Sequence, residues 1–152
     1  RLASPVQASL RFLSRSNPRA RNVTAELDEE AWVEGDETGL GQVALNLIEN
    51  ALQSIEERAE GEGRILVGVD AKDGAARLTV EDNGRGVPRE LRSRVFEPFF
   101  TTKGVGRGTG LGLSICARIV AEHGGAIEIE DPEGGGVRFV VTLPSTRDGA
   151  VP

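Results

Sequence analysis

A single cysteine, Cys116, excludes an internal disulfide and a cysteine-rich zinc site, and suits a reducing, cytoplasmic setting. No apolar run approaches the roughly 18 residues that cross a bilayer, and no charged-then-apolar leader opens the chain. No membrane contact is therefore expected of these residues. The first residue is Arg1 rather than methionine, which predicts a piece of a longer protein. Internal repeats and low-complexity blocks are absent. The net charge is −6, so a nonspecific grip on a nucleic-acid backbone is not expected either. At 152 residues, with 38% hydrophobic and 28% charged residues, the chain has the make-up of one folded globular domain rather than a disordered segment.

Glycine is the surplus, at 20 residues, and five of them alternate: Gly104, Gly106, Gly108, Gly110 and Gly112. Around them the charge reverses. From Arg85 to Arg107, six bases (Arg85, Arg89, Arg92, Arg94, Lys103, Arg107) face only Glu90 and Glu97, a local balance of +4 within an acidic body. A basic, glycine-rich strip of this kind suits one small anion.

Hydrophobic spacing predicts an amphipathic helix over 3–15, with Val6, Leu10 and Leu13 inward, ended by Asn17-Pro18. Short strands follow at 23–27 and 31–34. From the cap Asp36, the series Leu40, Val43, Ala44, Leu47, Ile48, Ala51, Ile55 predicts a long helix with one buried face. Strands over 64–70 and 77–80 join across Asp73-Gly74, and a second hairpin joins 126–130 to 137–143. Residues 111–123 read as a helix, stopped by Gly124-Gly125. The sum is an α+β, two-layer sandwich: a mixed, mainly antiparallel sheet with helices on one face. Residues 1–18 form an N-terminal helix and linker of the same domain as 19–144, and 145–152 is expected to fray. The irregular stretch from 83 to about 109 is long enough to predict a mobile lid over a site.

Three segments carry chemistry. Asn46 and Asn50 lie four residues apart, roughly 40° around one helix, and an amide oxygen there suits a magnesium ion that takes its other ligands from water and phosphates. Asp82-Asn83-Gly84-Arg85-Gly86 ends a strand. Its carboxylate accepts hydrogen bonds only, which selects an amine such as adenine's, while the glycines allow the backbone close to a flat ring. Gly106-Arg107-Gly108-Thr109-Gly110-Leu111-Gly112 then opens a helix, the layout for phosphate binding by backbone amides and a helix N-terminus. It is neither a P-loop nor a Rossmann loop, because the G-x-x-x-x-G-K-[ST] and G-x-G-x-x-G frames are missing.

In this order the segments resemble the ATP-binding catalytic domain of sensor histidine kinases, from the superfamily shared with gyrase, heat-shock-chaperone and mismatch-repair ATPases. The resemblance covers roughly 5–143. It includes the aromatic box Phe96-Glu97-Pro98-Phe99-Phe100-Thr101-Thr102-Lys103, which with the following glycines looks like the nitrogen-regulation type. It implies ATP and Mg2+ as cofactors, Asn50 as the magnesium ligand with Asn46 beside it, and Asp82 as the adenine reader. Gly84 and Gly86 would floor the pocket. Thr102, Gly106, Gly108, Thr109, Gly110, Leu111 and Gly112 would form the lid's end and phosphate contact, anchored by Phe96, Phe99 and Phe100. Where many relatives carry a basic or aromatic residue a turn after the metal asparagine, this chain has Gln53 and Ser54, so Lys103 and Arg107 are the expected phosphate contacts.

The implied function is presentation of Mg-ATP for γ-phosphoryl transfer to a histidine on a separate dimerisation domain of the same protein, and through it to a response regulator. The alternatives are an ATP-hydrolysing clamp or a related protein-serine kinase. The clamps resemble one another in having a glutamate base four residues before the metal asparagine, where this chain has Asn46; Glu49 is expected to point about 100° away from Asn50. The sole histidine, His123, ends a helix and is expected to cap it, and Cys116 is expected in the core. Any membrane attachment would belong to parts of the protein beyond these residues.

Overall fold

The computed structural model describes residues 1–58, 61–101 and 111–146. Helix α1 (Ala3–Ser16) leads through a 3₁₀ turn (Pro18–Asn22) into strand β1 (Val23–Leu27), then α2 (Glu37–Glu56), β2 (Ile65–Lys72) and β3 (Ala75–Asp82). A short 3₁₀ turn (Arg89–Leu91) precedes α3 (Gly112–Glu122), β4 (Ala126–Glu130) and β5 (Val137–Pro144). The five strands form one sheet in the order β1-β2-β3-β5-β4. Only β1 with β2 is parallel; the other three pairings are antiparallel. This is the expected α+β sandwich.

Side-chain alternation explains the layering. Along β3, Ala76, Leu78, Val80 and Asp82 are buried and the residues between them are half-buried, so one face of the sheet meets the helices. Asp82 is thus the last member of a core-facing row, and the only charged one. Helix α2 lies over β2 and β3, flanked by α1 and α3. Its start is fixed by Asp36, whose carboxylate accepts from the Thr38 and Gly39 amides at 3.1 and 3.0 Å, and Leu47, Ile48 and Leu52 form the centre of its buried stripe. The Asp73-Gly74 turn of the β2–β3 hairpin has φ of 53° and 76°, as a two-residue turn between twisted strands needs.

The strand expected at 31–34 does not form. Asp28 closes a turn onto the Glu30 amide at 2.8 Å, and the next carbonyls are taken one at a time: Ala31 O by the Leu2 amide and Trp32 O by the Thr146 amide. With Ala31 fully buried, the segment is a strap across the core instead of a ladder partner. Ser145 and Thr146 are tied down by backbone hydrogen bonds to Gly74 and Trp32.

Candidate functional site

A cavity of about 270 Å³ opens between α2, the loop after β3, the start of α3 and β5. Helix α2 supplies Asn46, Asn50 and Ser54, a stripe at four-residue spacing that borders the buried face. Glu49 also lines the cavity: the 100° of rotation that separates it from Asn50 still leaves it on the rim. Gly86, Val87 and Leu91 come from the loop, Gly112 and Leu113 from α3, and Phe139 from β5.

The two asparagines differ. Asn46 is spent within the protein: its oxygen accepts from Gln42 Nε2 at 2.7 Å and its Nδ2 donates to the Gly112 carbonyl at 3.2 Å, tying α2 to the first residue of α3. Asn50 is half-buried in the cavity wall, and no described residue hydrogen bonds to its side chain. Among the described residues no cluster of three His, Cys, Asp or Glu side chains could hold a metal alone. An amide oxygen in such a wall suits magnesium only when phosphates and water complete the shell.

Asp82 is 2% exposed and is not among the residues that line the cavity; it joins the wall through the hydroxyl of Ser54, which does line it. Both of its hydrogen bonds fall on one oxygen: the Ser54 hydroxyl donates to Oδ1 at 2.9 Å and the Gly84 amide at 2.8 Å. No described residue donates to Oδ2. Burial pushes the carboxyl above its usual pKa; the Gly84 and Ser54 donors pull the other way, and neighbouring Glu81 adds to the rise.

The glycines divide by role. A Cβ on Gly84 would lie 2.7 Å from the Ser54 carbonyl oxygen and overlap its hydroxyl, so Gly84 packs against α2, while Gly86 lines the cavity. Gly86 has φ of 74°, and a Cβ there would come within 2.7 Å of the Gly136 carbonyl. Gly136, on the β4–β5 turn, presses in turn on the Asp82 backbone, a contact that sequence reasoning missed.

The aromatic box is only partly an anchor. Phe96 meets Phe139 edge-on with ring centroids 6.3 Å apart, and Phe100 lines the cavity beneath the Arg94 guanidinium. Phe99 is 75% exposed with φ of 66°, so it is not held in the core of the described residues. Val95, by contrast, is buried and lines the cavity, an apolar residue too isolated in sequence to flag. The basic strip is likewise largely spent in ion pairs: Arg85 with Glu57, Arg89 and Arg92 with Asp131, Arg94 with Glu97. Thr102, Lys103, Gly106, Arg107, Gly108, Thr109 and Gly110 lie outside the described residues. Leu111 stands just before α3 and Gly112 begins it, beside the cavity.

Cys116 is a core residue whose thiol is pushed up to about 12 by burial. His123 caps α3 as expected and does more: Nδ1 lies 2.7 Å from the Ile119 carbonyl, and Nε2 accepts from the Asp36 amide at 3.0 Å. Those partners fix the tautomer, with the proton on Nδ1. His123→Ala would leave the Asp36 amide at the head of α2 without its acceptor and cost roughly 1–2 kcal/mol in urea unfolding. An unchanged stability would show that water replaces the ring at no cost.

Residues 35–147 match the family described as histidine kinase-, DNA gyrase B- and HSP90-like ATPase. The chain is 36% identical over 139 residues to the alginate biosynthesis sensor protein KinB of Pseudomonas aeruginosa, covering 91% of this chain and 23% of KinB. It is 35% identical over 147 residues to the signal transduction histidine-protein kinase AtoS of Escherichia coli, covering 95% of this chain and 23% of AtoS. The chain thus spans about a quarter of the curated relatives it matches. The structure of the mycobacterial sensor histidine kinase MprB superposes with a TM-score of 0.77 at 32% identity, covering 94% of this chain and 93% of that one.

Proposed function

The chain belongs to the histidine kinase-, DNA gyrase B- and HSP90-like ATPase family as a histidine-kinase ATP-binding catalytic domain, and from that premise we propose how its residues present Mg-ATP to a phosphoacceptor histidine elsewhere in the same protein. The observation that carries this reading is the division of labour along one helix face. Asn50 offers a free amide to the cavity, Asn46 binds α2 to the start of α3, and Ser54 touches the buried carboxylate.

In this reading adenine's exocyclic amine donates to Asp82 Oδ2, and the phosphates run toward the amides at the start of α3. Asn50 would hold magnesium, which when bound neutralises part of the phosphate charge. Lys103 and Arg107 would meet the phosphates from the lid, with Thr102 and the glycines 106, 108 and 110 and Thr109 between them. The transfer forms a bond from the acceptor imidazole nitrogen to the γ-phosphorus and breaks the bond to the β-γ bridging oxygen; ADP leaves with that electron pair. The domain supplies orientation and charge stabilisation, and the nucleophile comes from elsewhere. The acceptor domain is expected to be dimeric and to pass the phosphoryl group to a response regulator. A cytoplasmic setting follows from the same reading. Among the described residues, no helix is long and apolar enough to cross a membrane.

Hydrolysis as the main activity is disfavoured by Asn46, which is an amide and already bonded at both ends, so it cannot act as a base toward water. The metal assignment is tested by calorimetric titration of ATP with magnesium and with chelator. Asn50→Ala should weaken Mg-ATP about fivefold, the value of roughly one hydrogen bond or ligand contact, and leave metal-free nucleotide unchanged. Equal losses in both conditions would remove Asn50 from the metal.

A further inference from the structure

We infer that Ser54 is a positioning residue for adenine recognition, fixing which oxygen of Asp82 is presented to the nucleotide. The inference rests on Asp82 being the adenine reader. Ser54 combines two properties found together in no other described residue: it lines the cavity, and its hydroxyl donates to the Asp82 carboxylate, at 2.9 Å. The Gly84 amide donates to the same oxygen at 2.8 Å. Two donors on Oδ1 restrain the rotation of a carboxylate that terminates a core-facing row, and leave Oδ2 as the acceptor for a ligand amine.

The surroundings explain why a serine serves here. The hydroxyl lies so close to Gly84 that a Cβ there would overlap it, so glycine at 84 is what leaves the hydroxyl room to reach Asp82. A side chain on a helix can instead bond to the carbonyl four residues back, but this hydroxyl points across to the sheet. Asn50 and Ser54, one turn apart on α2, would then address the two ends of one nucleotide, the phosphates through the metal and the base through Asp82. The absence of a basic or aromatic side chain at 54 thereby acquires a purpose.

Positioning is separated from mere structural support by comparing ATP with purine riboside triphosphate, which differs only in lacking the exocyclic amine. Calorimetric affinities for both are measured on the parent chain, Ser54→Ala, Ser54→Cys, Ser54→Thr and Asp82→Asn. The parent should prefer ATP. Ser54→Ala and Ser54→Cys should each reduce that preference about three- to tenfold, mainly by weakening ATP, the range expected when the hydrogen bond to the amine is misaligned rather than lost. Ser54→Thr, which keeps the hydroxyl, should restore it. An unchanged ATP preference in both Ser54→Ala and Ser54→Cys, in chains where Asp82→Asn abolishes it, overturns the Ser54 assignment alone. A preference insensitive to Asp82→Asn overturns the adenine reading beneath it. Ser54→Cys fills nearly the same space, so it provides the answer if Ser54→Ala does not fold.

Discussion

Asp82→Asn is expected to reduce ATP affinity roughly tenfold to hundredfold, the loss of about 1–3 kcal/mol that follows when a buried group is left facing the wrong partner. The geometry makes the direction of this loss specific. Oδ1 already accepts from the Ser54 hydroxyl and the Gly84 amide. In the asparagine variant the carbonyl oxygen must keep those two donors, so the amide nitrogen takes the place of Oδ2 and points a donor at adenine's amine. Inosine triphosphate, which carries an acceptor oxygen at that ring position, should lose far less or gain. If the variant still prefers ATP over inosine triphosphate as the parent does, Asp82 is only a turn residue.

The same carboxylate sets two pH dependences of opposite sign. Its pKa in the folded chain is raised above 3.8, chiefly by burial. If Asp82 reads adenine as proposed, the amine needs the ionised acceptor, so ATP affinity should fall on acidification at a higher pH than an ordinary aspartate would give. Stability of the nucleotide-free domain runs the other way. A group whose folded pKa is raised favours folding most fully below its unfolded value, and that contribution is lost as pH rises through the folded value. Asp82→Asn keeps both hydrogen bonds without the buried charge, so at neutral pH the empty variant should melt no lower than the parent.

Much of this site was legible in the sequence because its parts sit in regular elements. Period-four spacing put Asn46 and Asn50 on one face of α2, and the β3 alternation led to Asp82. The same spacing extended one turn would have found Ser54, whose significance was hidden because its partner lies 28 residues away on another element. Gly136 was illegible for a similar reason. Its φ of 93° and its approach to the Asp82 backbone follow from β5 pairing with β3, and a run of three glycines in a turn signals only flexibility until that register is known. The strand expected at 31–34 failed because its backbone groups found partners at both ends of the chain, which local pattern does not encode. The described part of the basic strip misled for the opposite reason. Clustered arginines looked like an anion site, but four of them found carboxylates: Glu57 just past the end of α2, Glu97 in the loop itself, and Asp131 between β4 and β5.

The second large effect concerns where a phosphoryl group goes. His123 has both ring nitrogens engaged, with Nδ1 at the Ile119 carbonyl and Nε2 accepting from the Asp36 amide. Neither offers the free lone pair that in-line attack on phosphorus requires. It also stands at the far end of α3 from Gly112, about 11 residues or roughly 16 Å along the helix axis, whereas a reacting atom must come within about 3.5 Å. The chain alone should therefore bind ATP without labelling itself. It should also hydrolyse ATP only slowly, and no more slowly with Glu49→Gln, although Glu49 lies on the cavity wall. The decisive measurement is γ-labelled Mg-ATP incubated with this chain, alone and then with the histidine-bearing helical domain of the same protein. Label on the added helices and none on this chain is the predicted result. Label on the chain itself, or fast phosphate release abolished by Glu49→Gln, would contradict transfer to a separate histidine and establish an ATP-hydrolysing clamp in its place.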